Sequence, residues 1–159
     1  MNIAQYTKAA SLEEAWELNQ KRSAVVLGGC CWLRLSPQRR IAQAIDLSAL
    51  GLDQIEEGED SFRLGAMVTL GQLEGYDGLA AFTQGAMKEA VRHIVGTQFR
   101  NMATVGGSIS GRFGFSDIWT LFLALDAQVE LYKGGIVSLT EFGRTGPGTD
   151  IVTHISCPN

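Results

Sequence analysis

The chain has 159 residues, of which 45% are hydrophobic and 19% are charged, and its net charge is −4 at pH 7. This composition is typical of a globular protein with one core, or of two small lobes that share one. The acidic balance argues against a nucleic-acid-binding surface, which needs a basic face, and no apolar run has the length of a membrane span.

The cysteines and the first residues bear on the compartment. Cys30, Cys31 and Cys157 form neither a disulfide framework nor the CxxC spacing of a structural zinc site. The first eight residues lack the charged start and apolar core of a secretory signal. We therefore expect a cytoplasmic protein with reduced thiols.

A short helix and two strands are predicted for the first fifty residues. The sequence Ser-Leu-Glu-Glu at residues 11–14 is a capping box, and the helix that it begins runs to about Asn19. Residues 23–27 form an apolar run typical of a buried strand, and residues 41–47 predict the next strand. Together they indicate a small β-α-β lobe.

A polar and acidic segment, residues 51–60, is the best candidate for a boundary between two lobes. We therefore predict an N-terminal lobe over residues 1–55 and a second lobe over residues 56–159. The second lobe begins with a strand over residues 61–68.

Helices and a hairpin follow in the second lobe. Thr69 and Gln72 cap a brief helix. Residues 118–125 predict a buried helix, residues 127–139 a hairpin with a Gly-Gly turn, and residues 151–157 a last strand. A single helix is also predicted between residues 79 and 94, because apolar residues recur there on one helical face: Leu79, Phe82, Ala86, Ala90, Val91 and Ile94.

Two Gly-Gly pairs in apolar settings are the most informative feature: Gly28 with Gly29, and Gly106 with Gly107. Glycine lacks a Cβ, so the backbone at each pair can bend sharply or approach another molecule closely. Two such junctions indicate two loops whose N–H groups face the negative charge of one ligand, as in a dinucleotide site. Neither pair fits GxGxxG or the P-loop pattern, and a turn or bulge is the alternative for either pair alone.

Six sequence blocks resemble, in the right order, the FAD-binding subunit or domain of the molybdenum hydroxylases, such as xanthine dehydrogenase and the carbon monoxide dehydrogenase medium subunit. The resemblance implies an α+β fold of the PCMH type, in which two lobes hold FAD between them. It also implies that the C-terminal domain of the family is absent here. The blocks are residues 11–14, 27–29, 44–47, 63–70, 98–107 and 123–127.

The resemblance further implies which residues hold FAD. The first glycine loop would wrap the diphosphate, the second would approach the same phosphates, Ile94 and Val152 would lie near the flavin, and Asp117 would make a polar contact. For Asp117 a helix N-cap is the other interpretation. The candidate cofactor-binding residues are Val25, Val26, Leu27, Gly28, Gly29, Cys30, Cys31, Trp32, Ile94, Thr104, Val105, Gly106, Gly107, Ser108, Asp117 and Val152.

The chain departs from the family pattern in three places. Cys30, Cys31 and Trp32 follow the first glycine pair, where relatives carry a small hydroxyl residue and then Asp or Asn. Ser108 stands where Asn is usual, and residues 111–116 replace a segment rich in Ala, Ser and Pro. The first departure removes side-chain hydrogen bonds but keeps those of the backbone.

Several side chains keep two interpretations. Trp32 either shields the flavin or packs in the interior, and Arg100 either orients the second glycine loop or lies on the surface. The vicinal cysteines are poorly spaced for an iron–sulfur cluster, so small buried side chains are the better interpretation. His93 and His154 are interpreted as structural.

The resemblance implies an oxidoreductase subunit that needs no catalytic side chain or metal ligand of its own, because FAD performs the redox chemistry. Electrons would arrive from a molybdopterin-binding large subunit through [2Fe–2S] clusters on a small subunit and leave to an acceptor such as NAD. The main alternative is a flavin-free, degenerate docking subunit of such a complex. A third is a stand-alone flavin reductase, which an exposed flavin edge would allow. Self-association that covers this edge is the alternative to its exposure.

Overall fold

The computed structural model describes residues 1–35 and 40–158. Its strands form two sheets. One is a parallel sheet of three strands, and the other is an antiparallel sheet of five strands. The strands are β1 (Asn2–Lys8), β2 (Ala24–Leu27), β3 (Arg40–Asp46), β4 (Ile55–Glu57), β5 (Ser61–Gly65), β6 (Gln128–Leu131), β7 (Gly135–Ser138) and β8 (Val152–Pro158).

Eight α-helices connect and cover these strands in the described part of the chain, in addition to a 3₁₀ helix at Leu33–Leu35. They are α1 (Leu12–Asn19), α2 (Leu70–Gly75), α3 (Asp77–Phe82), α4 (Ala86–Arg92), α5 (Thr97–Arg100), α6 (Val105–Gly111), α7 (Asp117–Ala124) and α8 (Leu139–Thr145). No helix of the described residues is both long and apolar enough to cross a membrane. The cytoplasmic location stays a prediction.

The first sheet has the strand order β1-β3-β2, with both neighbours parallel to β3. Helix α1 makes the crossover between β1 and β2. Strand β1 is not predicted from the sequence. Almost all of its residues are exposed, so it lacks the apolar alternation that is typical of a half-buried strand. Its backbone pairing with β3 holds it instead.

The second sheet has the order β4-β5-β8-β6-β7. Helices pack on its apolar side, where Leu64, Val129 and Ile155 are fully buried together with Phe122 and Phe142. The last strand β8 lies in the centre of the sheet, between β5 and β6. The segment that precedes β8 lies next to the first lobe, where Asn19 donates to the carbonyl oxygens of Thr149 and Asp150.

A second apolar cluster joins the two sheets. It contains Ala15 of α1 and Ile45 of β3, and also Leu52 and Ile151, which lie just before β4 and β8. The predicted lobes therefore touch through apolar contacts. Their division at residue 55 stays a prediction, and β4 begins at that residue.

Three details of the predicted elements are wrong. The expected single helix over residues 79–94 is two helices, α3 and α4, because Gln84 (φ 49°) and Gly85 (φ 86°) adopt left-handed backbone between them. Glu14 does not complete the predicted capping box: its carboxylate accepts from the amide of Ala10 at 2.7 Å, while Ser11 caps the helix. The hairpin turn comprises residues 132–134, and Gly135 already begins β7.

A charged network lies on the face of the second sheet that carries Arg63, Glu130 and His154. The guanidinium of Arg63 donates to Glu130 (2.9 Å), to Glu56 (3.0 Å) and to Nδ1 of His154 (2.9 Å). Burial and the neighbouring Arg63 lower the pKa of His154 below its usual value of 6.5. The hydrogen bond from Arg63 likewise lowers the pKa of Glu130.

We expect His154 to make the protein less stable as the pH falls below about 6.5. In the unfolded chain the imidazole takes up a proton near this pH, whereas in the folded chain its lowered pKa keeps it neutral. The unfolded state then binds more protons, so stability is lost on acidification. The melting temperature between about pH 7 and pH 5 measures this loss.

The variant His154→Gln should show a smaller loss over this range, while the exposed His93→Gln serves as the matched control and should follow the wild-type profile. A second decline below about pH 4.5 persists in both variants, because Glu130 has a lowered pKa in the folded state only. A wild-type profile in His154→Gln would contradict this assignment.

Candidate functional site

A cleft of ≈ 1010 Å³ lies where the first sheet meets the second lobe. Its volume is at the upper end of the range for cofactor pockets, about 300–1,000 Å³. One wall consists of β2 and the segment that follows it, residues 28–33 and Leu35. The other wall comes from α5, α6, the start of α7 and the first residue of β8.

The first glycine pair follows β2 directly and lines the cleft. Cys30 follows in left-handed backbone with φ 60°. No hydrogen bond within residues 1–35 and 40–158 is donated by the amides of Gly28, Gly29 or Cys30. Successive free amides beside a left-handed residue are the backbone arrangement that binds anions.

The second glycine pair lies in a helix, not in the predicted loop. Thr104 is the N-cap of α6, and its hydroxyl accepts from the amide of Gly107 at 3.1 Å. The amide of Val105 donates to Val68, and that of Gly106 to Ala66, each at 2.8 Å. The first-turn amides that were expected to face a phosphate are thus occupied by protein acceptors.

The absent Cβ atoms of the glycines mostly face protein. A Cβ on Gly28 would lie 2.6 Å from Oγ1 of Thr104, and one on Gly29 would overlap the carbonyl of Met102. A Cβ on Gly106 would lie 2.7 Å from the Cβ and the carbonyl oxygen of Ala66. Gly28 and Gly29 therefore let the first lobe touch the second, and a ligand at this junction would meet backbone from both lobes.

The structure brings most of the predicted cofactor-binding residues to this cleft. Val105 is the exception, because its side chain is fully buried in the core of the second lobe. The predicted residues that line the cleft are Val25, Val26, Leu27, Gly28, Gly29, Cys30, Cys31, Trp32, Ile94, Thr104, Gly106, Gly107, Ser108, Asp117 and Val152. Their contact with a cofactor stays a prediction.

The charged side chains in the described part of the lining are two carboxylates, Asp117 and Asp150. Asp117 is exposed in the first turn of α7, whose N-cap is Ser116, so Asp117 is not the cap. Asp150 accepts from the amides of Lys133, Gly134 and Ile151. An anionic ligand would have to be bound by backbone amides and hydroxyls.

The two cysteines of the first glycine segment are protonated at neutral pH. Burial raises the pKa of both Cys30 and Cys31. The thiol of Cys31 lies 3.6 Å from the carbonyl oxygen of Gly29. Since thiolates rather than thiols are the nucleophiles and metal ligands, this environment favours packing over reactivity.

Arg100 lies in the interior and not on the surface. Its guanidinium pairs with Glu74 at 2.8 Å and donates to the carbonyl oxygen of Ile94 at 3.2 Å. These bonds fix the turn at residues 94–96, in which Val95 adopts φ 51°. Arg100 thus holds the cleft wall that carries Ile94.

Sequence reasoning missed a group of aromatic residues in the lining of the cleft. Phe99, Phe113 and Phe115 line it and contact Trp32, with ring centroids 5.5–6.1 Å from that of the indole. The signal was the pair of phenylalanines in the Gly-rich segment of residues 111–116, which departs from the family pattern.

Comparisons with known proteins agree on one family. The nicotine 6-hydroxylase medium subunit of Paenarthrobacter nicotinovorans is 33% identical over 79% of this chain and 46% of its own length. The xanthine dehydrogenase FAD-binding subunit of Escherichia coli O157:H7 is 29% identical over 96% of this chain and 55% of its own length. The chain thus spans about half the length of the curated relatives it matches.

A solved structure of a Cu,Mo-CO dehydrogenase superposes with a TM-score of 0.90 at 26% identity, over 99% of this chain and 59% of that chain. The predicted two-lobed α+β fold is therefore confirmed. The family model of the FAD-binding domain in molybdopterin dehydrogenase matches residues 2–159. The chain therefore belongs to the family of FAD-binding domains of molybdopterin dehydrogenases.

Proposed function

We propose that this chain is the FAD-binding, electron-transfer part of a molybdopterin-dependent dehydrogenase or hydroxylase. The observation that carries the proposal is the row of free amides at Gly28, Gly29 and Cys30, which opens into a cleft large enough for a dinucleotide. The family supplies the identity of the dinucleotide.

The residues present fit FAD. The free amides would hold the diphosphate without a basic side chain, as backbone anion sites do. The exposed carboxylate of Asp117 would accept a hydrogen bond from a ribose or ribityl hydroxyl, and the apolar walls would cover the ring systems. Bound FAD would supply the redox chemistry between the partner subunits and an acceptor such as NAD.

Partner subunits follow from the same proposal. The relatives are named as medium or FAD-binding subunits, and the described residues hold no group of three or more His, Cys, Asp or Glu side chains that could bind a metal. We propose a large subunit with molybdopterin and a small subunit with [2Fe–2S] clusters as the partners.

A flavin-free docking subunit is the second candidate, and one observation favours it. The amides of Val105, Gly106 and Gly107 already have protein acceptors, so the second glycine segment offers a diphosphate fewer donors than expected. This candidate would keep the fold and the partner subunits but would not bind FAD.

The proposal is tested by measuring the cofactor content of the native complex and the reduction of its flavin. The chain is tagged in its source organism, and the purified complex is assayed for molybdenum, iron and FAD. We expect all three, with flavin absorbance that bleaches when a reducing substrate of the large subunit is added without oxygen. Molybdenum and iron without FAD would indicate the docking subunit, and bleaching of the isolated chain by NADH would indicate a flavin reductase.

A further inference from the structure

The loop between α8 and β8 contributes to the lining of the cleft. We call residues 147–150 of this loop the strap, and its residues Pro147, Gly148 and Asp150 belong to the lining. The backbone is left-handed at Gly148 (φ 59°) and at Gly146 just before the strap (φ 68°). Since glycine adopts several backbone conformations at little cost, the sequence of the strap does not fix its path, and its contacts must do so.

Two side chains at the end of α1 hold the strap. The side-chain amide of Asn19 donates to the carbonyl oxygen of Thr149 at 2.9 Å and to that of Asp150 at 3.2 Å. The side-chain amide of Gln20 donates to the same oxygen of Thr149 at 2.9 Å, and the hydroxyl of Thr149 donates to Oε1 of Gln20 at 2.9 Å. Four hydrogen bonds thus join the first lobe to two consecutive residues of the strap.

The second lobe fixes one end of the strap, and α1 fixes its middle. The carboxylate of Asp150 accepts from the amides of Gly134 at 2.7 Å and Ile151 at 2.8 Å. All hydrogen bonds of Thr149 within the described residues go instead to the two side chains at the end of α1. Loss of the contacts with α1 would therefore leave Asp150 in place and let the rest of the strap move away from the cleft.

The contacts between α1 and the strap can form and break. Gln20 and Thr149 are exposed and Asn19 is half-buried, so water competes for each donor and acceptor. One hydrogen bond in a protein changes an equilibrium constant by about two- to tenfold. A ligand that needs the strap in place binds more weakly when the fraction of molecules that hold the strap falls.

We propose that Asn19 and Gln20 are positioning residues for FAD in this chain, because they hold the strap in the lining of the cleft; this inference rests on the proposed function. They act through the backbone of Thr149 and Asp150. Helix α1 thereby shapes the cofactor site, although none of its residues was among the predicted cofactor-binding residues.

The experiment measures the dissociation constant and the dissociation rate of FAD for the wild-type chain and for Asn19→Ala. This variant removes two of the four hydrogen bonds, and alanine is compatible with the end of the helix. We expect both the dissociation constant and the dissociation rate to rise about two- to tenfold, since FAD leaves more readily when the strap is released.

Thr149 supplies a conservative pair of variants. Thr149→Val keeps the shape of the side chain but removes the hydroxyl that donates to Gln20, so FAD dissociation should become about two- to threefold faster. Thr149→Ser keeps the hydroxyl and should restore the wild-type rate. A difference between valine and serine at this position reports on the hydrogen bond to α1.

Glu13→Ala is the matched control on the same helix. The carboxylate of Glu13 accepts from the hydroxyl of Tyr132 at 2.7 Å and from Nζ of Lys133 at 2.9 Å. These contacts also join the two lobes, but they do not involve the strap. Glu13→Ala should therefore bind and release FAD as the wild type does.

Hydrogen exchange of the ligand-free protein gives a readout that does not depend on FAD. The amide of Asp150 donates to the carbonyl oxygen of Pro147 within the strap at 3.0 Å. This amide should exchange severalfold faster in Asn19→Ala and at the wild-type rate in Glu13→Ala. General destabilisation would instead accelerate exchange of the buried strands as well.

The outcomes separate this inference from the function on which it rests. Wild-type protein that binds no FAD would overturn the proposed function. Wild-type protein that binds FAD, with unchanged dissociation in Asn19→Ala, would overturn the positioning role alone, even if the strap exchanges faster. An equal change in Glu13→Ala would assign the effect to contact between the lobes in general and overturn the role of the strap.

Discussion

Gly29→Ala is expected to abolish FAD binding and to lower the free energy of unfolding by about 3 kcal/mol, the upper end of the range for overpacking. The added Cβ would overlap the backbone carbonyl of Met102. A backbone carbonyl cannot rotate away as a side chain can, so the two walls of the cleft must separate. That movement displaces the free amides of Gly28 and Cys30 from their common site.

Thermal unfolding and FAD titration measure the two effects. For a chain of this length, 3 kcal/mol corresponds to a fall in melting temperature of roughly 6–12 °C. Gly75→Ala is the matched control, because a Cβ at Gly75 meets no atom within 4 Å, and its stability should change by less than about 0.5 kcal/mol. A Gly29→Ala protein with wild-type stability and FAD affinity would show that the walls do not touch at this point.

Arg100→Met should lower the free energy of unfolding by about 2–4 kcal/mol and weaken FAD binding as well. Removal of one partner from a buried ion pair costs about 3–5 kcal/mol, and the partial exposure of Glu74 reduces the effect here. The carbonyl oxygen of Ile94 also loses its donor, so the strained turn that carries Val95 is released.

The size of this effect is judged against an exposed ion pair of similar composition. Arg92 pairs with Glu89 at 3.0 Å on the surface of α4, and Arg92→Met should cost less than about 0.5 kcal/mol. Arg100→Lys should recover only part of the loss, since a lysine cannot bind Glu74 and Ile94 with one planar group. Equal stability of Arg100→Met and Arg92→Met would contradict the positioning role of Arg100.

Much of the fold follows from local patterns in the sequence. The apolar run before Gly28 and the Thr69–Gln72 capping box lie where they were expected, and the structure contains both hydrogen bonds of that box. Patterns of this kind depend only on residues that are close together in the sequence. The break between α3 and α4 was missed because it needs left-handed backbone at two successive residues. The second is Gly85, but the first is Gln84, a residue type with no special preference for this conformation.

The site was predicted less completely than the fold, for a physical reason. The sequence shows that glycine occupies positions 29 and 106 but not what approaches them. In the structure, Met102 and Ala66 fill the space that a ligand was expected to take. Likewise, Arg100 was left between two interpretations because its partner Glu74 lies in a different helix, which residue spacing does not reveal.

The aromatic contacts of Trp32 show the same limit. Trp32 and Phe115 are far apart in sequence, and neither belongs to a periodic pattern that would predict their contact. Sequence reasoning recognised the residues around both as departures from the family. Only their proximity in the folded chain connects the two departures.

The most direct test of the account is a titration of the purified chain with FAD, followed by desalting and an absorbance spectrum. We predict that one FAD per chain stays with the wild-type protein and that Gly29→Ala retains none, while Gly75→Ala behaves as wild type. A wild-type chain that is folded, colourless after desalting and unable to retain added FAD, even with its partner subunits present, would contradict the central claim and indicate a flavin-free docking subunit.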